Sequence, residues 1–415
     1  MALVCGIDFG TSNSTVSVMS GDAARLIPLE GTALTIPSAV FWDSDGAAPV
    51  FGRAAIAAYV NEEDGRLMRG LKSALGSSLI HEKTRVGNRA LAFTDILGRF
   101  FGHLRMCLDA VQPGTRHAVL GRPVHFVDDD AAGDQAAQDV LEAIARSYGF
   151  DHIAFQFEPI AAALHYEASA TVEELVLIVD IGGGTSDFSI LRVSPTRRGM
   201  AQRDGDILAS HGIRLGGTDF DRLLSLAQVM PALGLGSLIN KGKNQMPLHY
   251  YHDLATWHRI NQVYAGRALL DLKQIRFDAD QPVLLDRMIR VIEGRRGHAI
   301  AMAVEAAKIE LTDTLATPIR LADVIGMDTG ASRAMFEATV DKPVARIAEA
   351  IAEVLAQAGI GAGQIGTVFM TGGSSSLPVL HGLVQAHLPG ARIAKGDMLG
   401  SVGTGLALDA ARRFG

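Results

Sequence analysis

Two short stretches of this chain carry residue types able to hold a phosphate and a divalent cation. Residues 7–18 read Ile-Asp-Phe-Gly-Thr-Ser-Asn-Ser-Thr-Val-Ser-Val, and residues 179–190 read Val-Asp-Ile-Gly-Gly-Gly-Thr-Ser-Asp-Phe-Ser-Ile. Each sets an aspartate (Asp8, Asp180) in an apolar run, then a glycine turn ending in Gly-Thr-Ser, then a second alternating run. Glycine turns offer backbone N–H groups to anions. Carboxylates hold Mg²⁺, often through its water shell. Asn13 and Asp187 add oxygen ligands just past each turn. One copy alone reads as an ordinary β-hairpin with a polar turn; two copies with matching aspartates point to a nucleotide site.

Other phosphate motifs fail. No glycine followed by four residues and Gly-Lys-Ser or Gly-Lys-Thr occurs, which excludes a P-loop. The one Gly-x-Gly-x-x-Gly run, Gly361 to Gly366, follows a helical pattern and precedes a strand. That is the reverse of the dinucleotide-binding context, so a helix-to-strand loop is expected there.

The elements that must position these residues follow the same doubling. Each stretch predicts a β-hairpin with glycines at the bend, and the echo predicts two related halves. In the first half a strand at 117–120 precedes Gly121-Arg122-Pro123, with a helix over 134–147. Phe155-Gln156-Phe157 then runs into Glu158-Pro159 and a helix over 160–167, where proline suits the first turn. In the second half Gly216-Gly217 precedes a helix over 219–229. A strand at 367–370 leads into Thr371-Gly372-Gly373-Ser374, and Ser376 is placed to cap the next helix. Weaker periodicity over 40–108, with a loop at 61–65, and a polar turn at 240–244 within 223–304 suggest a subdomain inserted into each half. No low-complexity linker separates the pieces, so closely packed halves with a hinge are expected.

Composition bounds the rest. The 415 residues are 48% hydrophobic, enough for two or three compact units, and the net charge of −7 is spread along the chain. No basic footprint calls for nucleic acid. With only Cys5 and Cys107, a disulfide framework and a thiolate zinc site are excluded. No targeting signal or membrane span is visible, and a soluble cytoplasmic protein is expected.

Four segments together carry a family resemblance: residues 6–14, Phe157 to Ala163, Val179 to Asp187, and Thr371 to Ser374. They resemble the ATPase domain of the heat shock protein 70 chaperones, within the actin-like superfamily, and look closest to the short YegD-like chaperones. The resemblance implies an α/β, actin-like ATPase (ribonuclease H-like) fold. Its two lobes would span 1–170 (insert about 40–110) and 171–415 (insert about 223–304), around a central nucleotide cleft. It implies ATP or ADP with Mg²⁺ as ligands. Asp8 and Asp180 would organise the metal, mostly through water. Gly10, Thr11, Ser12, Asn13 and Gly182, Gly183, Gly184, Thr185 would cradle the β- and γ-phosphates. Asp187 and Glu158 would position the metal shell and attacking water. Lys72, in Leu71 to Gly76, would lie beside the γ-phosphate, where bare sequence equally allows a surface lysine. Gly216 and Gly217 would close on the γ-phosphate.

For the nucleoside, the resemblance places Glu305 and Lys308 on the ribose, with Thr312 nearby and Gly372, Gly373, Ser374 and Asp397 on the facing wall. Spacing alone reads Glu305 and Lys308 as a surface pair. The family sandwiches adenine between two arginines, where this chain has Ile309 and Ser376. No linker or β-rich peptide-binding domain follows Asp397, so peptide clamping is not expected of this chain alone. The segment 218–304 is longer than in the family. Tyr250, Leu254, Trp257 and Tyr264 fit one face of a helix, packed on its own subdomain or on a protein partner. His249 and His252 lack a carboxylate to complete a metal motif, and Arg287, Arg290, Arg295 and Arg296 read as a solvated face.

The function expected is a chaperone-like ATPase that hydrolyses Mg-ATP slowly and changes lobe angle, without nucleic-acid or membrane partners. The alternatives are a small-molecule kinase of the same superfamily, for which no acceptor pocket or aspartate base is visible in the sequence, and a non-hydrolysing sensor or filament-forming scaffold.

Overall fold

The computed structural model describes residues 2–46, 48–61, 63–75, 78–86, 89–127, 130–167, 170–197, 200, 203–264, 266–395 and 400–415. The chain forms two compact units. One comprises 1–213, 350–375 and 384–415, and the other 214–349 and 376–383.

The echo in the sequence is an echo in topology. In the first unit, Val4–Phe9 and Asn13–Ser20 form an antiparallel hairpin, Ala23–Leu26 extends it, and His117–Arg122 and His152–Phe157 add to its other side in parallel. The second sheet repeats this order. Glu174–Ile181 and Ser186–Val193 make the hairpin, Ile207–Ile213 extends it, and Ile365–Thr371 and Arg392–Lys395 run parallel on the far side. Residues buried on both faces explain why Val176 to Val179 and Val368 to Met370 read as continuous apolar runs. The loop at 361–366 connects the helix Asp341–Ala358 to strand Ile365–Thr371, as expected.

The helix Ser401–Phe414 packs on the first sheet and on helix Glu158–Glu167. Its small residues make this approach possible. A Cβ on Gly405 would lie 1.9 Å from the Ala161 carbonyl oxygen, and one on Gly403 2.4 Å from Thr15 Oγ1. Ser17 Oγ donates to the Gly403 carbonyl at 2.5 Å. Asp409, buried at the helix end, accepts from Gln156 and pairs with Arg412 and Arg413. Within 40–110 lie a three-stranded sheet (Val50–Phe51, Ala39–Asp43, Gly65–Arg69), helix Gly52–Val60 and helix Phe93–Val111. Phe100, Phe101 and Leu104 of the last bury against Ile7, Phe9 and Val16.

The second unit is mostly helical, with two short hairpins. The polar turn at 240–244 is the bend between Leu238–Ile239 and Asn244–Gln245, with Asn240, Lys241 and Gly242 all at positive φ. The single helix expected through Tyr250 to Tyr264 is broken. Thr256 is extended (φ −110°, ψ 109°), which separates His249–Ala255 from a 3-10 turn at Trp257–Arg259 and Ile260–Val263. The side chains still face inward. Tyr250 and Leu254 are buried, the Tyr264 hydroxyl accepts from Gly297 N–H at 2.9 Å, and the Trp257 ring meets His298 edge-on. Among the described residues, no helix is long and apolar enough to cross a membrane.

Candidate nucleotide site

The two hairpin bends of the first unit touch. A Cβ on Gly183 would lie 2.3 Å from Ser12 Oγ, so the second bend sits directly against the first. The first bend is tight, because a Cβ on Gly10 would stand 2.1 Å from the Asn13 carbonyl oxygen. Ser38 braces it, its N–H donating to the Ser12 carbonyl and its hydroxyl to the Gly10 carbonyl at 2.6 Å. Nothing in the sequence marked Ser38, which acts across a strand pairing invisible to local spacing. The second bend closes with Gly182 N–H donating to the Thr185 carbonyl, and Thr185 Oγ1 donates to Asp187 at 3.2 Å.

The segment Thr371 to Ser374 backs the second bend. Ser374 N–H donates to the Ile181 carbonyl at 3.1 Å and its hydroxyl to the Gly182 carbonyl at 3.4 Å. Gly372 adopts φ +83°, and a side chain there would strike the Asp180 carboxylate. Gly373 lies in the same segment.

Lys72 lies on a 3-10 turn, Leu71–Ala74, that follows Gly70 at φ 66°. Its ammonium is buried and forms an ion pair with Glu158, the first residue of helix Glu158–Glu167. The surface alternative for this lysine is therefore excluded. Burial alone would lower the Lys72 pKa, but Glu158, Asp8 and Asp187 outweigh it and hold it above the ordinary value. The carboxylates show the complementary effect. Asp8 is raised to about 7 by burial and by Glu158, with Lys72 opposing. Asp180 is raised to about 8 by burial and then by Asp187, Glu158 and Asp8. Four carboxylates thus gather around one lysine.

This donor set suits a hard divalent cation. No three His, Cys, Asp or Glu side chains converge closely enough to ligate an ion directly among the described residues. Mg²⁺ commonly retains several waters and takes one or two carboxylates plus substrate phosphates.

The remaining expected residues belong to the second unit, apart from Asp397, which lies outside the described residues. Helix Gly217–Gln228 starts after Gly216, whose N–H donates to Asp219 at 3.1 Å. Lys308, expected at the surface from spacing alone, is buried. Its ammonium pairs with Asp221 at 2.9 Å and donates to the Gly217 carbonyl. On the same helix, Gly297–Glu310, Glu305 is half-buried and Ile309 is 59% exposed. Thr312 accepts through its carbonyl from Arg333 at 2.9 Å.

Paired aspartate hairpins on duplicated sheets of this order define an α/β, actin-like ATPase fold. A family model described as Hsp70 protein matches residues 83–232 and 293–396. The chain belongs to the Hsp70 family, whose domains are chaperone-like nucleotide-binding ATPases and typically bind nucleotide with Mg²⁺.

Proposed function

We propose that this chain is a slow Mg-ATP hydrolase of the short YegD-like kind, with the carboxylate cluster of its first unit as the reaction centre. One observation carries this reading: the touching bends at Ser12 and Gly183 bring Asp8, Asp180, Asp187, Glu158 and Lys72 together from distant parts of the sequence. The bends offer N–H groups and hydroxyls of Thr11, Ser12 and Thr185 to phosphate oxygens. Asp8 and Asp180 would hold hydrated Mg²⁺, which would supply charge neutralisation to the β- and γ-phosphates. Lys72 brings a cation to the cluster, and Glu158 orients it while accepting from a water. Phosphoryl transfer depends on positioning and charge stabilisation more than on covalent catalysis, and this inventory supplies both.

We assign Gly216, Gly217, Glu305, Lys308, Ile309, Thr312, Ser376 and Asp397 to nucleotide binding on the strength of the family resemblance. The lobes at 1–170 and 171–415, and a change of their angle with nucleotide state, belong to the same proposal. Calorimetry and thermal melting with Mg-ATP and Mg-ADP test it. Saturation near 100 Kd should stabilise the fold by about 2.7 kcal/mol. An unchanged melting temperature at millimolar Mg-nucleotide would remove the site.

A further inference from the structure

One helical hairpin of the second unit leaves large apolar side chains in water. Helix Gly266–Phe277 turns Leu272, fully buried, and Leu269 and Ile275, half-buried, towards the unit. Its other face carries Arg267, Leu270, Lys273, Gln274 and Phe277, whose spacing of three and four sets them in one stripe. Leu270 is 68% exposed and Phe277 83%. Val283, in the first turn of helix Pro282–Glu293, adds a third at 61%. Exposed apolar residues scattered singly are ordinary, whereas a grouped set marks an interaction surface. The stripe is also held rigid. Arg276 donates two hydrogen bonds to Asp286 and Lys273 pairs with Glu293, which ties the two helices together. The turn beyond Phe277 is pinned as well: Asn240 N–H donates to the Asp278 carbonyl at 2.8 Å, and Asp280 N–H to the Leu238 carbonyl at 3.0 Å.

We infer that this stripe docks on the same stripe of a second copy of the chain, with the two helices antiparallel about a two-fold axis. The order of the residues carries the assignment. From the midpoint between Lys273 and Gln274, Leu270 and Phe277 lie equally far to either side, and Arg267 and Asp280 equally far beyond them. A two-fold axis at that midpoint sets Leu270 of each copy against Phe277 of the other, and Arg267 of each opposite the Asp280 end of the other. The Arg267 side chain is 93% exposed and its ion pair with Asp271 is long, at 3.8 Å. Asp278 and Asp280 are both exposed. A contact between identical patches requires each patch to complement itself, and opposite charges at the two ends with apolar residues between them do so. Parallel packing would instead set like charges together. A purely acidic or purely basic partner would satisfy one end and be repelled by the other. A single helix pair falls short of the roughly 1,200–2,000 Å² of a stable interface, so the dimer is weak, with a Kd on the order of 100 μM.

Sedimentation of the full chain without nucleotide, from about 5 μM to about 1 mM, spans that Kd. The mean mass should climb from one chain towards two. Phe277→Glu should hold it at one chain throughout without moving the melting temperature, because the replaced ring lies in water. Arg267→Glu and Asp280→Arg should each weaken association about five- to tenfold, since each sets like charges together twice. Combining the two reverses both pairs and should restore the wild-type Kd. Gln274→Cys, beside the axis, should cross-link two copies on mild oxidation, and adding Phe277→Glu should prevent this. One chain at every concentration overturns the inference. So does association that Phe277→Glu leaves intact, which would place the contact on another face. Monomers that bind phosphatidylglycerol vesicles, and lose this in Phe277→Glu, would give the stripe to a membrane surface and overturn the inference as well.

Discussion

Asp180→Asn isolates the electrostatics of the proposed centre. The folded-state pKa of Asp180 is raised to about 8, against roughly 3.9 in an unfolded chain. Between these values the folded protein keeps a proton that the unfolded chain has released, so stability falls as pH rises. At about 1.36 kcal/mol per pH unit, the loss between pH 5 and pH 8 has a ceiling of roughly 4 kcal/mol. Asparagine has nearly the same shape and stays neutral throughout, which removes this contribution. It also takes away one of the charges facing Asp8, whose own rise to about 7 adds to the slope. Urea unfolding at pH 5 and pH 8, with chelator and without nucleotide, measures the difference. The variant should lose much less stability than the wild type over that interval and should be the more stable of the two at pH 8. Mg-ADP should then stabilise the wild type at pH 8 and leave the variant nearly unchanged. Equal pH slopes for the two proteins would refute the argument.

Other substitutions test separate parts of the structure. Lys72→Ala should lower ATP turnover about a hundredfold or more, as for loss of a charge-stabilising donor, and should lower the melting temperature because Glu158 is left without its cation. Wild-type turnover in that variant would sink the assignment. Gly405→Ala should destabilise the fold by about 3 kcal/mol or more, since the new methyl meets the Ala161 carbonyl oxygen and overpacking costs of this order follow. A loss under about 1 kcal/mol in a urea titration would show that the helix can shift. Ile309→Arg with Ser376→Arg should tighten ATP more than inorganic triphosphate, since cation–π stacking on the base contributes about 0.5–2 kcal/mol per contact. Equal tightening in calorimetry would place the base elsewhere.

The hairpins were legible because their signal is local. An aspartate, a glycine bend and an alternating strand lie within a dozen residues, and their repetition predicted a doubling that reappears as two sheets of the same strand order. What the sequence concealed depends on register and distance. Asp187, Ser189, Ser210 and Gly212 share a face only because one strand is set against another in a particular register. The alternation of Asp187 and Ser189 hinted at a polar face, but Ser210 carries no mark of its own. Ser17 meets the Gly403 carbonyl across 386 residues of chain. The broken helix at Thr256 shows the opposite failure. Apolar spacing was read correctly, yet periodicity reports which side chains turn inward and not whether the backbone between them stays helical.

Lys72 and Lys308 show why charge balance separates roles that spacing leaves identical. Each could pass for a solvated lysine, and each is buried against a carboxylate contributed by a different helix. Lys308 is met by Asp221 and by the carbonyl of Gly217, one charge against one charge. Such a pair ties helix Gly297–Glu310 to the start of helix Gly217–Gln228 and fixes the backbone that follows Gly216. Lys72 instead stands among Glu158, Asp8 and Asp187, with Asp180 raised by the same neighbours. A buried cluster with a surplus of negative charge is costly unless protonated or neutralised. The surplus therefore favours uptake of a cation, and the glycine bends beside it favour the phosphates that cation would accompany. Lys308, met charge for charge, fixes the backbone beside the proposed nucleotide contacts, while Lys72, with three more carboxylates at hand, stands in the proposed reaction centre.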